Sequence, residues 1–354
     1  MTVMKKPTRP TTAFKTEKKP KKLLHLIMFS LTFLMATSVG LNVYLGAKTI
    51  SAKKEKFREA QVGNPSPVSY IRERQDPSQL SHPLLLADDN SESPRFSSLR
   101  YELQKLIRDY ETDGSITSVS VYMTTLNDMS GMGIGPDDAY LPGSLMKVPI
   151  LIYYLKQEQD HPGTLKKEFV YERPRTGFPQ QNYPGDSIVS GRKYKVSELL
   201  HYMIAESDNN ATYVLSTHID GDEYRKIYTD LDIPPYEVSN TLYSISPRQY
   251  SKFFKVLYNA SYLNESLSEY ALNILSECNF RDGLVKELPK GIITAHKFGE
   301  RAIDYDVNFS ESAIVYYNSN PYLLTIMTRG RDVKHQTVLV SELSKAIYSR
   351  YGDI

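Results

Sequence analysis

Three short stretches hold residues whose types and spacing could carry out acyl transfer. The first is Ser144-Leu145-Met146-Lys147, in PGSLMKVPI. Positions three apart share a helix face, so hydroxyl and amine can meet. A serine hydroxyl is a weak nucleophile until a base takes its proton. Lysine can be that base only where burial or a neighbouring cation leaves it partly neutral. Pro142-Gly143 turns the chain just before Ser144, placing the serine at a helix N-terminus. There free N–H groups and the helix dipole favour developing negative charge. The pattern alone is unspecific. Ser51–Lys54 and Ser190–Lys193 repeat it, and its bland alternative is an N-capping serine with a solvated lysine. Only Ser144 opens an apolar helix after a turn.

The second stretch is Ser207-Asp208-Asn209, three polar residues that interrupt a helical pattern. They read either as a helix-terminal turn, since all three types cap backbone N–H groups, or as a polar finger reaching into a cleft. The third is Lys297-Phe298-Gly299, expected at the end of a strand. An edge-strand lysine guards against aggregation. Alternatively it is a cation facing an anionic substrate group, with glycine allowing close backbone approach.

The elements that must position these residues follow from periodicity. Phe96–Tyr110 has helical spacing, and Ser115–Leu126 alternates and is β-branched, as a strand does. Gly131–Gly135 offers a hairpin partner. Leu145–Gln157 is an apolar helix, and Val196–Ser216 is helical with a break near Ser207. Two more helices fall within 246–278. Strands return at Ile292–Phe298, Ser312–Tyr317 and Tyr322–Thr328, and a last helix spans Thr337–Tyr348. Strands from both ends of the domain bracket a helical middle. The expected fold is therefore α/β (α+β): one antiparallel sheet flanked by the first and last helices, plus an all-helical lobe. A ligand cleft is expected between lobe and sheet.

In this order the three motifs resemble the SxxK, SDN and K-[TS]-G series of class A β-lactamases and penicillin-binding proteins. The likeness spans about residues 96–350. Lys195-Val196-Ser197-Glu198-Leu199-Leu200 is similar to that family's helix leading into SDN. Ser244-Ile245-Ser246-Pro247 is similar to its Thr-rich turn, and Asp282-Gly283-Leu284 and Leu288-Pro289-Lys290-Gly291 to the approach to its lysine strand. The resemblance implies a β-lactamase/transpeptidase-like fold and an acyl-enzyme mechanism on a β-lactam or peptidoglycan peptide. It implies that Ser144 attacks, Lys147 takes its proton and Ser207 relays a proton to the leaving nitrogen. Asn209, Lys297 and Gly299 would bind substrate, and the backbone N–H groups of Ser144 and Glu300 would form the oxyanion hole. No cofactor or metal is implied.

Two departures bear on substrate. Phe298 stands where the family carries a hydroxyl that helps bind a carboxylate; Arg301 is a substitute by proximity alone. The class A deacylating glutamate, with an asparagine four residues on, has no exact counterpart in DLDIPPYEVSNTLYSISP. Glu237, three before Asn240, is the candidate base, and a solvated loop acid is the alternative. Two other functions fit these departures: a cell-wall-binding scaffold whose cleft Phe298 blocks, and an esterase for neutral substrates.

Composition narrows the classes. The chain has 354 residues with 43 basic and 41 acidic side chains, net +2, and 40% hydrophobic residues. So even a balance supports a large core and argues against nucleic acid as a partner. The single cysteine, Cys278, excludes an internal disulfide, and no Cys/His spacing suggests zinc. Residues 1–22 form a basic tail. Residues 23–47 carry no formal charge and are long enough to cross the roughly 30 Å core of a bilayer. The basic flank predicts a cytoplasmic N-terminus. Ala36-Thr37-Ser38 leaves a cleaved signal peptide as the other reading. Residues 48–95, with five prolines, read as a tether. The expectation is a single-pass membrane protein whose domain, residues 96–354, lies outside the cytoplasm.

Overall fold

The computed structural model describes residues 92–112, 114–172, 183, 185–236, 242–303 and 305–353. The basic tail, the apolar run 23–47, nearly all of the tether and Glu237 lie outside the described residues.

The described chain opens with a 3-10 turn (Pro94–Phe96), then helix α1 (Ser97–Thr112), strand β1 (Ile116–Thr125) and strand β2 (Gly131–Ile134). A 3-10 turn, Gly143–Met146, leads into α2 (Lys147–Asp160). Next come β3 (Glu168–Val170), β4 (Lys193–Lys195), α3 (Val196–Ala205), α4 (Asn209–Ser216) and α5 (Gly221–Asp230). Then follow α6 (Pro247–Tyr258), α7 (Glu265–Ser276), β5 (Thr294–Ile303), β6 (Asp306–Val315), β7 (Tyr322–Gly330) and α8 (Val333–Tyr351). Five strands form an antiparallel sheet in the order β2-β1-β7-β6-β5. Strands from the two ends of the domain meet at β1 and β7, which pair from Ile116↔Gly330 to Thr125↔Tyr322.

Alternation along the strands divides two cores. Val121 and Met123, Phe309 and Ala313, Leu324 and Ile326 face Leu99, Leu103 and Ile107 of α1 and Leu339, Leu343 and Ile347 of α8. Ala295, Ile314, Leu323 and Met327 join the core of the helical lobe instead. That lobe centres on α2, whose residues from Lys147 to Leu155 are all buried. A helix apolar on every side belongs in the middle of a bundle. The lobe is not wholly helical, because β3 and β4 form a two-stranded sheet within it.

Strand β5 was expected to stop at Phe298. It continues to Ile303, and β6 begins at Asp306 rather than Ser312, because ten residue pairs from Thr294↔Val315 to Ile303↔Asp306 register the two strands. Lys297 therefore sits within a strand rather than at its end. As the terminal strand of the sheet, β5 leaves one edge for something other than a strand.

Candidate active site

That edge receives the turn carrying Ser144. Gly299 is so close to it that a side-chain carbon there would stand 2.2 Å from Pro142 O and 2.6 Å from Leu145 N. Gly143 is close in the reverse sense: a side-chain carbon would meet Glu300 O at 2.3 Å and Glu300 N at 2.8 Å. Gly143 also has φ +53°, in the left-handed region, which favours glycine. Two glycines thus let two backbones touch, bringing Ser144 beside the backbone of Glu300. The expected helix start at Leu145 is corrected here. Ser144 and Leu145 lie in the 3-10 turn, closed by Leu145 N–H donating to Pro142 O at 3.1 Å, and α2 begins at Lys147. Two outside contacts fix the turn. Tyr250 of α6 donates its hydroxyl to Leu145 O at 2.8 Å, and Leu141 N–H donates to Asn308 Oδ1 at 3.3 Å.

Ser207 hangs between α3 and α4 with φ +54°. A non-glycine residue held there costs about 1–3 kcal/mol, a strain that clusters at functional sites. Asp208 fixes the bend. It accepts from Asn210 N at 2.9 Å and Ala211 N at 3.3 Å as the N-cap of α4. It also accepts from Ser187 Oγ at 2.9 Å and Ile188 N at 3.0 Å. The alternative of a helix-terminal turn is therefore true of Asp208, and it is what aims Ser207.

Two lysines converge on the Ser207 hydroxyl. Lys147 Nζ donates to Ser207 Oγ at 3.0 Å, to the Ser207 carbonyl and to Asn209 Oδ1 at 2.9 Å. Lys297 Nζ donates to the same Oγ at 2.9 Å and to Phe298 O at 3.2 Å. With both lysines donating, the Ser207 O–H is free to donate elsewhere, as a proton relay must. Both lysines are buried. Burial holds Lys147 well below its ordinary value, and the charge of Lys297 lowers it further, against Asp208 and Cys278. Burial likewise brings Lys297 down to about 8, opposed by the negative charges of Cys278 and Glu311. Among the described residues Lys147 makes no hydrogen bond to Ser144. Its hydrogen bonds go to Ser207 and Asn209, and Ser144, half-buried, lies in the 3-10 turn three residues before the first residue of α2.

Of the sequence candidates, Lys147, Ser207, Asn209 and Lys297 are joined by hydrogen bonds, and Gly299 and Glu300 lie against the Ser144 turn. Glu237 is outside the described residues. Phe298 is only 5% exposed and joins the core shared with α1 and α8. Its ring stacks on Phe280 at 4.1 Å and meets Tyr183 edge-on at 5.0 Å, while Lys297 Nζ lies 4.0 Å from its centroid. Tyr183 belongs to no motif or periodic face, and Tyr250 lies on the periodic face Tyr250, Phe253, Phe254, Leu257 and Tyr258 of α6, which marks it as core but not as a partner of the Ser144 turn. Among the described residues no cluster of three or more His, Cys, Asp or Glu could hold a metal ion, and no helix is long and apolar enough to cross a membrane.

Comparison with known proteins agrees with the fold. The model of the Beta-lactamase enzyme family matches residues 98–351. Among curated proteins, no sequence matches. A structure of PBP-A is similar at 20% identity, covering 74% of this chain and 98% of that one, with TM-score 0.62. A PBP-A variant solved as an acyl-enzyme complex with penicillin G is similar at 19% identity, covering 72% and 98%, with TM-score 0.60. A β-lactamase from Chitinophaga pinensis is similar at 18% identity, covering 72% and 100%, with TM-score 0.62.

Proposed function

The chain belongs to the Beta-lactamase enzyme family, and from that premise we propose that it is a serine hydrolase forming an acyl-enzyme on Ser144 with a β-lactam or a peptidoglycan peptide. The observation that carries the reading is the pair of buried lysines meeting at one serine hydroxyl, beside a turn pressed onto the edge of β5. Lys147, partly neutral, takes the Ser144 proton. Ser207 passes a proton to the leaving nitrogen. The N–H groups of Ser144 and Glu300 hold the oxyanion. Lys297 keeps Ser207 in place and presents positive charge to the substrate. Arg301 shares the strand face of Lys297 and Gly299 by alternation, and it supplies a further cation where Phe298 lacks a hydroxyl.

The experiment is incubation of the full chain with a fluorescent penicillin, followed by intact-mass analysis. A covalent adduct is expected on the wild type and none on Ser144→Ala. Equal labelling of both, or no labelling and no hydrolysis by either, sinks the reading. The lifetime of the adduct reports deacylation: a persistent adduct means Glu237 does not act as an efficient base.

We further propose that residues 23–47 anchor the chain in the cell membrane with the domain outside the cytoplasm. The support is the uncharged run itself and its basic flank. The full chain is expected to stay with membranes through an alkaline carbonate wash. Quantitative release into the supernatant would refute the anchor.

A further inference from the structure

Behind Lys297, on the opposite face of β5, lies a group of buried titratable side chains that acylation does not use. His296 and Glu311 are both fully buried, and His296 Nδ1 and Glu311 Oε1 are 2.9 Å apart. The second oxygen, Glu311 Oε2, accepts from Leu284 N at 2.7 Å. The chain packs so tightly on it that a side-chain carbon on Gly283 would stand 2.0 Å away. Glu311 thus ties β6, β5 and the 283–284 turn together. Cys278, also fully buried, lies beside the His296 imidazole, close enough to interact with its charge.

Two buried charges placed together cost desolvation that a hydrophobic pair would not. Their position supplies the reason for keeping them. His296 precedes Lys297 in β5, and Glu311 pairs across from Phe298. Phe298 in turn puts its ring under the Lys297 ammonium and accepts from it through its carbonyl. We propose that the His296–Glu311 pair, with Cys278, is a positioning device for Lys297: it fixes the strand that carries the lysine and sets the charge behind it. The proposal rests on the reading of Lys297 as part of the acylation machinery.

The electrostatics agree in sign. Burial works against a charged imidazole, but Cys278 and Glu311 outweigh it and bring His296 up to about 9. Burial works against the thiolate, but His296 and Lys297 outweigh it and bring Cys278 down to about 7. The groups facing this cluster are Lys297 on β5, Glu311 on β6, Cys278 beyond α7 and, on the Glu311 side, Tyr183. Lys147 faces Lys297 from the lobe. Cys278 and Glu311 oppose the burial that lowers Lys297.

The test measures acylation by penicillin against pH for the full chain, wild type and two variants, Cys278→Ser and Glu311→Gln. Removing either anion is expected to move the alkaline limb downward by about one pH unit. A purely structural role would lower the rate without moving the limb. Cys278→Ser is nearly isosteric and serves if Glu311→Gln does not fold. A limb unmoved in every variant that folds overturns the proposal. In parallel, ring-15N histidine spectra of the full chain report His296 without any need for turnover. An imidazolium at pH 7.5 in the wild type is expected, with the His296 titration moved to lower pH in a folded Glu311→Gln. A neutral His296 in the wild type overturns the proposal. A wild type that never acylates refutes the hydrolase reading, and the histidine spectra still decide whether the charge pair exists.

Discussion

Acylation by penicillin is expected to fall by about 10²–10⁴-fold in Lys147→Met, the range that a positioned general base contributes. Methionine keeps the length and apolar contacts of the lysine stem but has no proton acceptor of comparable strength. Lys147→Arg is expected to fall as far, because guanidinium does not lose its proton in proteins. The pH profile carries the same logic. Lys147 must be neutral to act, so the rate rises with pH through a limb displaced downward by burial and by Lys297. Lys297 must stay charged, so the rate falls above about pH 8. The two lysines share one hydroxyl, so the limbs belong to the pair. Replacing Lys147 should move stability the opposite way from activity. A lysine whose folded value lies below its ordinary 10.5 binds fewer protons folded than unfolded, so stability rises with pH across that interval. The penalty is fully present below the folded value and is relieved on the way to 10.5. Lys147→Met should therefore melt higher than the wild type at neutral pH, with the gap closing as the solution becomes alkaline. Thermal melts from pH 6 to 10 check this. A variant that acylates normally would remove Lys147 from the mechanism.

How much of this was legible in the sequence differs by element, for physical reasons. The helix α1 was read because it buries a face with helical spacing, α2 because it is an apolar run after a turn, and β1 because branched side chains alternate. The far half of β5 was missed. Gly299-Glu300-Arg301-Ala302 has poor strand propensity and is held by its pairing with β6, which overrides propensity. The start of β6, before Ser312, was missed because Asn308 and Glu311 look like surface residues. Both are buried, where their partners are Leu141 and His296. Helix α5 was missed although Asp220 caps it and Tyr224, Ile227 and Tyr228 line one face. Its neighbours in sequence are equally rich in polar and aromatic residues. In the site, order and residue type pointed to Ser144, Lys147, Ser207, Asn209 and Lys297. What no motif contains is that both amines meet at one oxygen. That depends on the left-handed backbone of Ser207 and the four hydrogen bonds Asp208 accepts. His296 and Glu311 were invisible for a related reason: a buried ion pair is made by register between strands, not by spacing along one.

The contact between Gly143 and Glu300 leads to the second large effect. Gly143→Ala is expected to lower the acylation rate by about 10²–10³-fold, the cost of losing one oxyanion donor, about 2.7–4 kcal/mol. An alanine Cβ there would lie 2.3 Å from Glu300 O and 2.6 Å from Glu300 C. Both are backbone atoms in a paired strand, so the turn must move instead. It carries Ser144, so nucleophile and oxyanion donor separate together. Left-handed backbone adds about 1–2 kcal/mol of strain for any L-residue with a side chain. That second effect has its own control. Gly114 also has positive φ, +72°, but nothing lies within 4 Å of where its side chain would be. Gly114→Ala should lose stability by the strain alone and acylate at the wild-type rate. Urea unfolding measures the first quantity for both variants, and stopped-flow acylation measures the second. If Gly143→Ala loses no more activity than Gly114→Ala, the Glu300 backbone is not part of the oxyanion site. If both lose stability alike but only Gly143→Ala loses rate, the deficit comes from separating two backbones that the paired glycines hold in contact.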